Sequence, residues 1–276
     1  MVVDIKSKTK RVISKVIKLS EKPYKNLINA FFENVANQTL FIWRFLKEAF
    51  KPPYEFNEIF KQSYLIGYKS LPLVAITGFI MGLVLTIQSR PTLAEFGAES
   101  WLPSMVSVSI VREIGPVITA LIFAGKVGSG IGAELASMKV TEQIDAMEVA
   151  GNNPFKYIIV TRVIATSLML PILTLFNNAI GMVGSFVGVN MDGDVSFHLY
   201  FVQAIEGLTF ADFFPALIKT FFFGFSIGII ACYKGYYATK GTEGVGKAAN
   251  SSVVSASLMI FIIDVIAVRV TSLFAY

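Results

Sequence analysis

Five ionisable side chains stand inside runs that are otherwise apolar: Arg112, Glu113, Lys219, Asp264 and Arg269. A charge in hydrocarbon is costly, so such residues face a cavity or a partner rather than lipid. At a rise of about 1.5 Å per residue, Arg112 and Glu113 lie roughly 13–15 Å below the outer end of their apolar run, Lys219 roughly 10 Å, Asp264 roughly 16 Å and Arg269 roughly 9 Å. All of them therefore fall in the outer half. Three are cationic and two anionic, which makes a mildly basic, outward-facing cavity suited to an anionic lipid headgroup. Leu85, Gln88, Leu93 and Phe96, around the outer end of the first apolar run, offer a rim for acyl chains. Two other readings use the same residues. An ion-pair network, such as Arg112 with Asp264, would only fix helix packing. A proton or ion relay through Glu113 and Asp264 would make a secondary transporter or channel. Arg162 differs: it sits near an inner end, where a long side chain snorkels to the interface.

Enzymatic chemistry finds little support. The chain has one His and one Cys. That excludes an intramolecular disulfide framework and an ordinary zinc site, and leaves no basis for a Ser-His-Asp or Cys-His centre. His198 follows the acidic stretch Asp192-Gly-Asp194, with no nucleophile in its setting. The run Gly241-Thr-Glu-Gly-Val-Gly246-Lys247-Ala248 matches most of a phosphate-binding loop. Ala248, however, stands where Ser or Thr must hold magnesium, and a membrane helix rather than a strand precedes the run. The glycine-rich run from Gly125 to Gly132 fits neither glycine template in its context. The chain is expected to hold no metal or cofactor and not to hydrolyse ATP itself.

The elements that must position the charges are membrane helices. Apolar residues make up 54% of the chain and charged ones 16%, against about 25% charged in soluble domains. Five apolar runs are long enough to span a bilayer: Leu71–Gln88, Pro103–Ala124, Ile158–Val189, Phe213–Cys232 and Val253–Ala275. The third carries Pro171, a kink site, and reads either as one tilted helix or as a helix plus a re-entrant piece. Lys and Arg number 13 before the first run, then 1, 3, 0 and 3 in the successive loops. The positive-inside rule then places the N-terminus in the cytoplasm and the C-terminus in the periplasm. The net charge of +5 comes mainly from the basic N-terminal tail, so it calls for no nucleic-acid partner.

Residues 1–27 read as that basic cytoplasmic tail, suited to lipid headgroups and lacking the apolar core of a secretory signal. Residues 28–70 read as an interfacial amphipathic helix and a linker. Ile28, Phe31, Phe32, Val35, Ile42, Trp43 and Leu46 form its apolar stripe, charges fall on the other face, and Pro52-Pro53 ends it. Residues 71–276 form the five-span domain. The pairs Gly78/Gly82, Gly184/Gly188 and Gly224/Gly228 read as close helix packing inside the bundle. The expected fold is thus an all-α integral membrane protein.

The hydrophilic loop of about 125–157 is the most informative one. Glu134 to Val149 reads as one short helix parallel to the membrane, with an apolar side and a charged side. Gly151 is a natural cap before Asn152-Asn153-Pro154. A helix–glycine–turn of this kind resembles the coupling segment of ABC permeases, which docks into a groove of an ATPase subunit. The docking residues would be Glu134, Met138, Lys139, Glu142, Asp145, Met147 and Glu148. A plain solvated connector is the alternative.

The run Val111-Arg-Glu-Ile-Gly-Pro-Val-Ile-Thr-Ala-Leu-Ile-Phe-Ala-Gly-Lys-Val-Gly-Ser-Gly-Ile-Gly-Ala-Glu134 is similar to the signature of the MlaE/YrbE-type permease family. Its continuation from Met138 to Met147 also matches, as does Gly244-Val-Gly246-Lys-Ala ahead of a final span containing Asp264. The resemblance covers roughly Leu71 to the C-terminus. It implies the membrane subunit of an ABC lipid transporter at a bacterial inner membrane. The partners implied are a second copy of the chain, separate ATPase subunits that bind ATP and magnesium, an MCE-domain protein on the periplasmic side, and phospholipid as cargo. The secondary-transporter alternative lacks the inverted repeat usual in that class.

The charge alternation makes a direct prediction. Alkaline phosphatase fused after Tyr276 should be active and green fluorescent protein at the same point dark; the reverse pattern removes the five-span topology.

Overall fold

The computed structural model describes residues 32–33, 35–191, 193–239 and 241–274. The expected basic tail, Ile28 and Phe31 of the amphipathic stripe, and the C-terminal Tyr276 lie outside these. Regular structure among the described residues is entirely helical. Five helices are long and apolar enough to cross a membrane, so the chain is an all-α integral membrane protein. In chain order, α1 is residues 35–49, α2 is Phe56–Glu95, α3 is Glu99–Val140, α4 is Gln143–Val149 and α5 is Phe155–Val189. Then come α6 (Phe197–Glu206), α7 (Phe210–Tyr236) and α8 (Thr242–Phe274).

Helix α1 belongs to a compact unit distinct from the one beginning at Lys51. It buries Phe41 and Phe45 and exposes Val35, Trp43 and Leu46. The Lys47 ammonium lies 5.5 Å from the centre of the Trp43 ring.

Helix α2 begins at Phe56, so residues expected as linker are its first turns. Local pairs account for this extension. Gln62 donates to Glu58 at 2.8 Å, Lys61 lies 3.7 Å from the same carboxylate, and Tyr64 stacks on Tyr68 at 5.3 Å. These are i,i+3 and i,i+4 partners, which support a helix whatever its hydropathy. The apolar run stops at Lys69 because hydropathy measures lipid contact, not helicity.

Helix α3 is 42 residues long. At about 1.5 Å per residue it measures roughly 60 Å, twice a hydrocarbon core of about 30 Å. Two wide π turns interrupt its α pitch, Ile110–Ile114 and Ala124–Gly128. The expected single helix from Glu134 to Val149 does not form. Instead α3 runs on to Val140, the chain turns at Thr141, and α4 starts after Glu142, whose φ is 59°. Thr141 spends its hydroxyl on the Ser137 carbonyl at 2.8 Å, and the left-handed residue after it reorients the chain. Gly151 does cap α4 as expected. Its φ is 81°; its N–H donates to Glu148 at 3.0 Å, and that of Asn152 donates to Met147 at 3.1 Å. That double closure requires a left-handed residue, which glycine adopts without cost from a Cβ.

The third span is a single helix, α5, running through Pro171 without a break. A proline in a membrane helix is tolerated when neighbours satisfy the backbone, and α5 is the most enclosed of the five. Its widest interface is with α2, and it also packs on α3 and α7; α8 lies against α3 and α7.

Small residues make the α2–α5 interface. Helix α2 buries Ser63, Gly67, Ser70, Gly78, Gly82 and Thr86 along one face. A Cβ on Gly82 would run into the Gly181 carbonyl, and one on Gly184 into the Phe79 carbonyl. Backbones this close gain dispersion contacts where no hydrophobic effect drives helices together. Gly224 and Gly228 do the same on α7, against Thr166 and Val163 of α5. The three glycine pairs thus all serve packing inside the bundle. Substituting Gly82→Val should therefore lower the thermal stability of the detergent-solubilised protein by at least about 1–3 kcal/mol, the usual cost of overpacking. Gly130→Ala, where a Cβ meets nothing within 4 Å, should be neutral in the same melting assay.

Candidate functional site

The buried charges of three helices meet at one point. The Lys219 ammonium on α7 lies 2.6 Å from the Glu113 carboxylate of α3 and 2.9 Å from the Asp264 carboxylate of α8. Only 5% of the lysine side chain is exposed, against 38% for Glu113 and 19% for Asp264. The ammonium thus donates to both acids. The ion-pair reading is realised, but with other partners than expected. Arg112 does not reach Asp264; it faces Asp212 of α7 at 3.6 Å.

Asp212 is not among the residues that sequence singles out, although its signal is present. Thr209-Phe-Ala-Asp212 is a capping box: the Asp212 carboxylate accepts from the Thr209 N–H at 3.2 Å. One carboxylate oxygen starts α7 while the other meets Arg112. Arg269 sits on the exposed side of α8.

Two clefts open beside the triad. A small polar one is lined by Arg112, Glu113, Asp212, Lys219 and Thr271. A larger one of about 750 Å³ runs between α7 and α8 and is lined by Phe210, Phe214, Ile218, Phe222, Ile263, Ile266 and Val270. Lys219, Ala211, Pro215, Ala267 and Thr271 border both. Neither cleft touches Leu85, Gln88, Leu93 or Phe96, the expected rim. Leu85 and Leu93 pack instead on a core of Leu102, Val106, Ile110, Val189, Tyr200 and Ala204, beneath α6. Gln88 and Phe96 are exposed. In the single chain α6, a short helix between spans, covers that face of α2 and α3.

The π turn aims Arg112 and Glu113. Arg112 and Glu113 lie within Ile110–Ile114, and the Gly115 N–H closes the turn onto the Ile110 carbonyl. A π turn adds a residue per turn and rotates the helix beyond it, and such turns recur at functional sites. The Asn178 side chain of α5 packs on Gly115 so tightly that a Cβ there would strike its carbonyl oxygen.

At the opposite end of the bundle the expected docking residues divide. Glu134 is not on a docking helix; its carboxylate binds the buried Arg162 guanidinium at 2.8 Å. Arg162 does not snorkel, being 5% exposed and also donating to the Ile158 carbonyl at 3.1 Å. Met138 and Lys139 lie on the last turn of α3. Lys139 holds Asp145 at 2.6 Å, pinning α4 to α3. Glu142 and Glu148 are exposed, Met147 half-buried. Val149, which hydropathy passed over, is 90% exposed at the tip of α4. The near-miss phosphate loop is the first turn of α8, with loop before it and Gly244 pressed on the Thr239 carbonyl.

The described residues thus form a polytopic membrane protein with a charge cluster towards one end of the bundle and a short helix at the other. Residues 59–270 match the family described as Permease MlaE. The chain is 40% identical over 232 residues to a probable ABC transporter permease protein of Rickettsia typhi, covering 84% of this chain and 90% of that one. It is 38% identical over 209 residues to another from Synechocystis, covering 73% and 77%. It is 35% identical over 212 residues to the intermembrane phospholipid transport system permease protein MlaE of Haemophilus influenzae, covering 76% and 81%. The chain belongs to the MlaE permease family of ABC transporter permeases.

The triad sets a stability prediction. Lys219→Met leaves two carboxylates facing each other in an apolar bundle and should destabilise the fold by about 3–5 kcal/mol. Combining Lys219→Met with Glu113→Gln and Asp264→Asn removes the uncompensated charge and should recover most of that loss in a thermal melt. A triple variant no more stable than the single one would show that the charges do not act as a unit.

Proposed function

We propose that this chain is the membrane subunit through which an ABC transporter moves phospholipid between a bacterial inner membrane and an MCE-domain partner in the periplasm. The observation that carries it is the pairing of two features on one MlaE-family chain. One is the joined polar and apolar clefts at the α6 end, which match a headgroup and an acyl chain. The other is α4 at the far end. ATP and magnesium belong to a separate ATPase chain, and two copies of this chain form the pathway. In this reading the α4 end faces the cytoplasm and the α6 end the periplasm, which the Lys and Arg distribution supports. Helix α1, with Trp43 and Leu46 exposed, lies in the membrane interface. Lys219 stands between the two carboxylates that a proton relay would have to join, which disfavours the secondary-transporter alternative.

Coupling runs through α4. Glu142 and Glu148 offer charge to basic groups of the ATPase, and Val149 with Met147 offers an apolar knob. Asp145 and Glu134 act within the chain, holding α4 and α3 in place. The test spares these internal pairs: Glu148→Lys, and separately Val149→Asp. Each should reach the membrane at wild-type level but lose most of the ATPase that co-purifies with the wild-type chain. Retention of stoichiometric ATPase with full ATP turnover in both would exclude α4 as the docking element.

A further inference from the structure

Helices α2 and α5 keep a fixed register. Gly78 packs on Asn177, Gly82 on Gly181, and the Thr86 hydroxyl lies 2.6 Å from that of Ser185, each pair 99 positions apart in sequence. Pro72 of α2 and Pro171 of α5 keep the same offset, so the two prolines stand at one level. A proline has no N–H, so the Tyr68 and Ser167 carbonyls lack the donor that a regular ladder would supply. Helix α3 is irregular at this level too. The Lys126 ammonium, on its second π turn, donates to the Lys69 carbonyl of α2. Gly128 of that turn meets Ile227 of α7, and Gly224 and Gly228 on either side of Ile227 press on Thr166 of α5. The hydroxyls of Ser129 and Ser167 bond back four residues, to the Gly125 and Val163 carbonyls, a habit that bends helices. Gly125 has neither a positive φ nor a neighbour that a Cβ would meet within 4 Å. Packing does not require a glycine there, and glycine weakens a helix relative to alanine.

On either side of this level the same helices are pinned together. Towards α4, Arg162 binds Glu134 at 2.8 Å, joining α5 to α3, and Tyr157 donates to Glu58 at 3.3 Å, joining α5 to α2. Towards α6, Thr86 and Ser185 join α2 to α5, Asn178 of α5 seats on Gly115 of α3, and Lys219 joins α7 to α3 and α8. Helices bend at prolines and π turns. We propose that this level is a hinge across the bundle. Helices α2, α3 and α5 flex there together, at Pro72, Ala124–Gly128 and Pro171, so that the α4 half and the half holding the Lys219 clasp move as two rigid parts. Lys126 ties α2 to α3 at the joint and keeps them in step. The first π turn stays outside it, because Asn178 fills the space over Gly115. Helices α7 and α8 carry no proline or π turn at this level, and the bend runs about them. The hinge belongs to the chain whatever its cargo; in a permease it is the joint through which a push on α4 reaches the clefts.

The test is pulsed electron–electron double resonance on the full-length chain in lipid nanodiscs. Pairs of spin labels are introduced with the buried Cys232 replaced by alanine, and the labelled chain is diluted into unlabelled chain. Tyr64 with Ile87 spans the hinge, Tyr64 with Ser137 stays on the α4 side, and Ile87 with Ile218 stays on the clasp side; all four positions are exposed. The spanning pair should give the broadest distance distribution of the three. Pro72→Ala, Gly125→Ala and Pro171→Ala together restore two N–H groups and helix propensity, and should narrow that distribution to the width of the other two. Pro91→Ala, which restores an N–H to α2 away from the hinge, should leave it unchanged. Pro72 is exposed, so Pro72→Ala alone, which should narrow it part of the way, keeps the idea testable if the triple variant does not accumulate. A spanning pair no broader than the other two, breadth that survives Pro72→Ala, or equal narrowing by Pro91→Ala overturns the hinge and leaves the phospholipid reading standing.

Discussion

A lysine ammonium inside a membrane protein cannot be left to hydrocarbon, and much of this architecture depends on how Lys219 is satisfied. Its two acceptors are 106 and 45 residues away in sequence. Nothing local brings them together, so α3, α7 and α8 must converge to within hydrogen-bond reach of one atom. Each acid alone would leave the ammonium half-served, and both together leave the site with surplus negative charge. The arrangement is thus a structural clasp, two of whose members, Lys219 and Glu113, also line the neighbouring cleft.

Convergence of that kind needs backbones that approach closely, and the glycines supply it. Gly82 against Gly181, Gly184 against Phe79 and Gly224 against Thr166 remove the side chains that would hold α2, α5 and α7 apart. Gly115 belongs to the same set but does something further. It accepts the Asn178 side chain where the π turn closes, so α5 buttresses the turn that aims Arg112 and Glu113. A methyl group there would press on both the asparagine and the Ile110 carbonyl, which lies 2.7 Å from the position of a Cβ.

The sequence was legible where one physical signal dominated. Apolar runs located the five membrane helices, and the isolated charges within them, Glu113, Lys219 and Asp264, were recognisable because each violates its surroundings. The glycine after α4 was legible because only a left-handed residue closes that turn. What was lost needed two helices at once. The Arg112 partner is a capping residue, and treating caps as local misses that Asp212 has a second oxygen to offer. Arg162 looked free to snorkel because its acceptor, Glu134, is on another helix. The neighbours of Leu85 and Leu93 were hidden for a similar reason, since both pack beneath α6, whose packing no hydropathy window contains. Helix α3 overran its expected end because helicity outlasts lipid contact.

That overrun has a mechanical meaning. One helix, α3, carries Glu113 about a third of the way along and, past Glu134, ends where Lys139 pins α4. From Glu113 to Val140 the chain rises roughly 40 Å at helical pitch, so the candidate site and the α4 segment are two ends of a single rod. Rods transmit displacement only if held, and Arg162 from α5 holds this one through Glu134. Rods also yield where their hydrogen-bond ladder is irregular. The π turns at Ile110–Ile114 and Ala124–Gly128 are such places, and the first contains Glu113, one of the two acids that bind Lys219. A twist delivered at α4 would therefore be absorbed at the second π turn or appear at the first, as a rotation of Glu113 relative to Lys219. Because the clasp joins three helices at one ammonium, any such rotation would bear on all three, and on the groove between α7 and α8 that the same lysine lines.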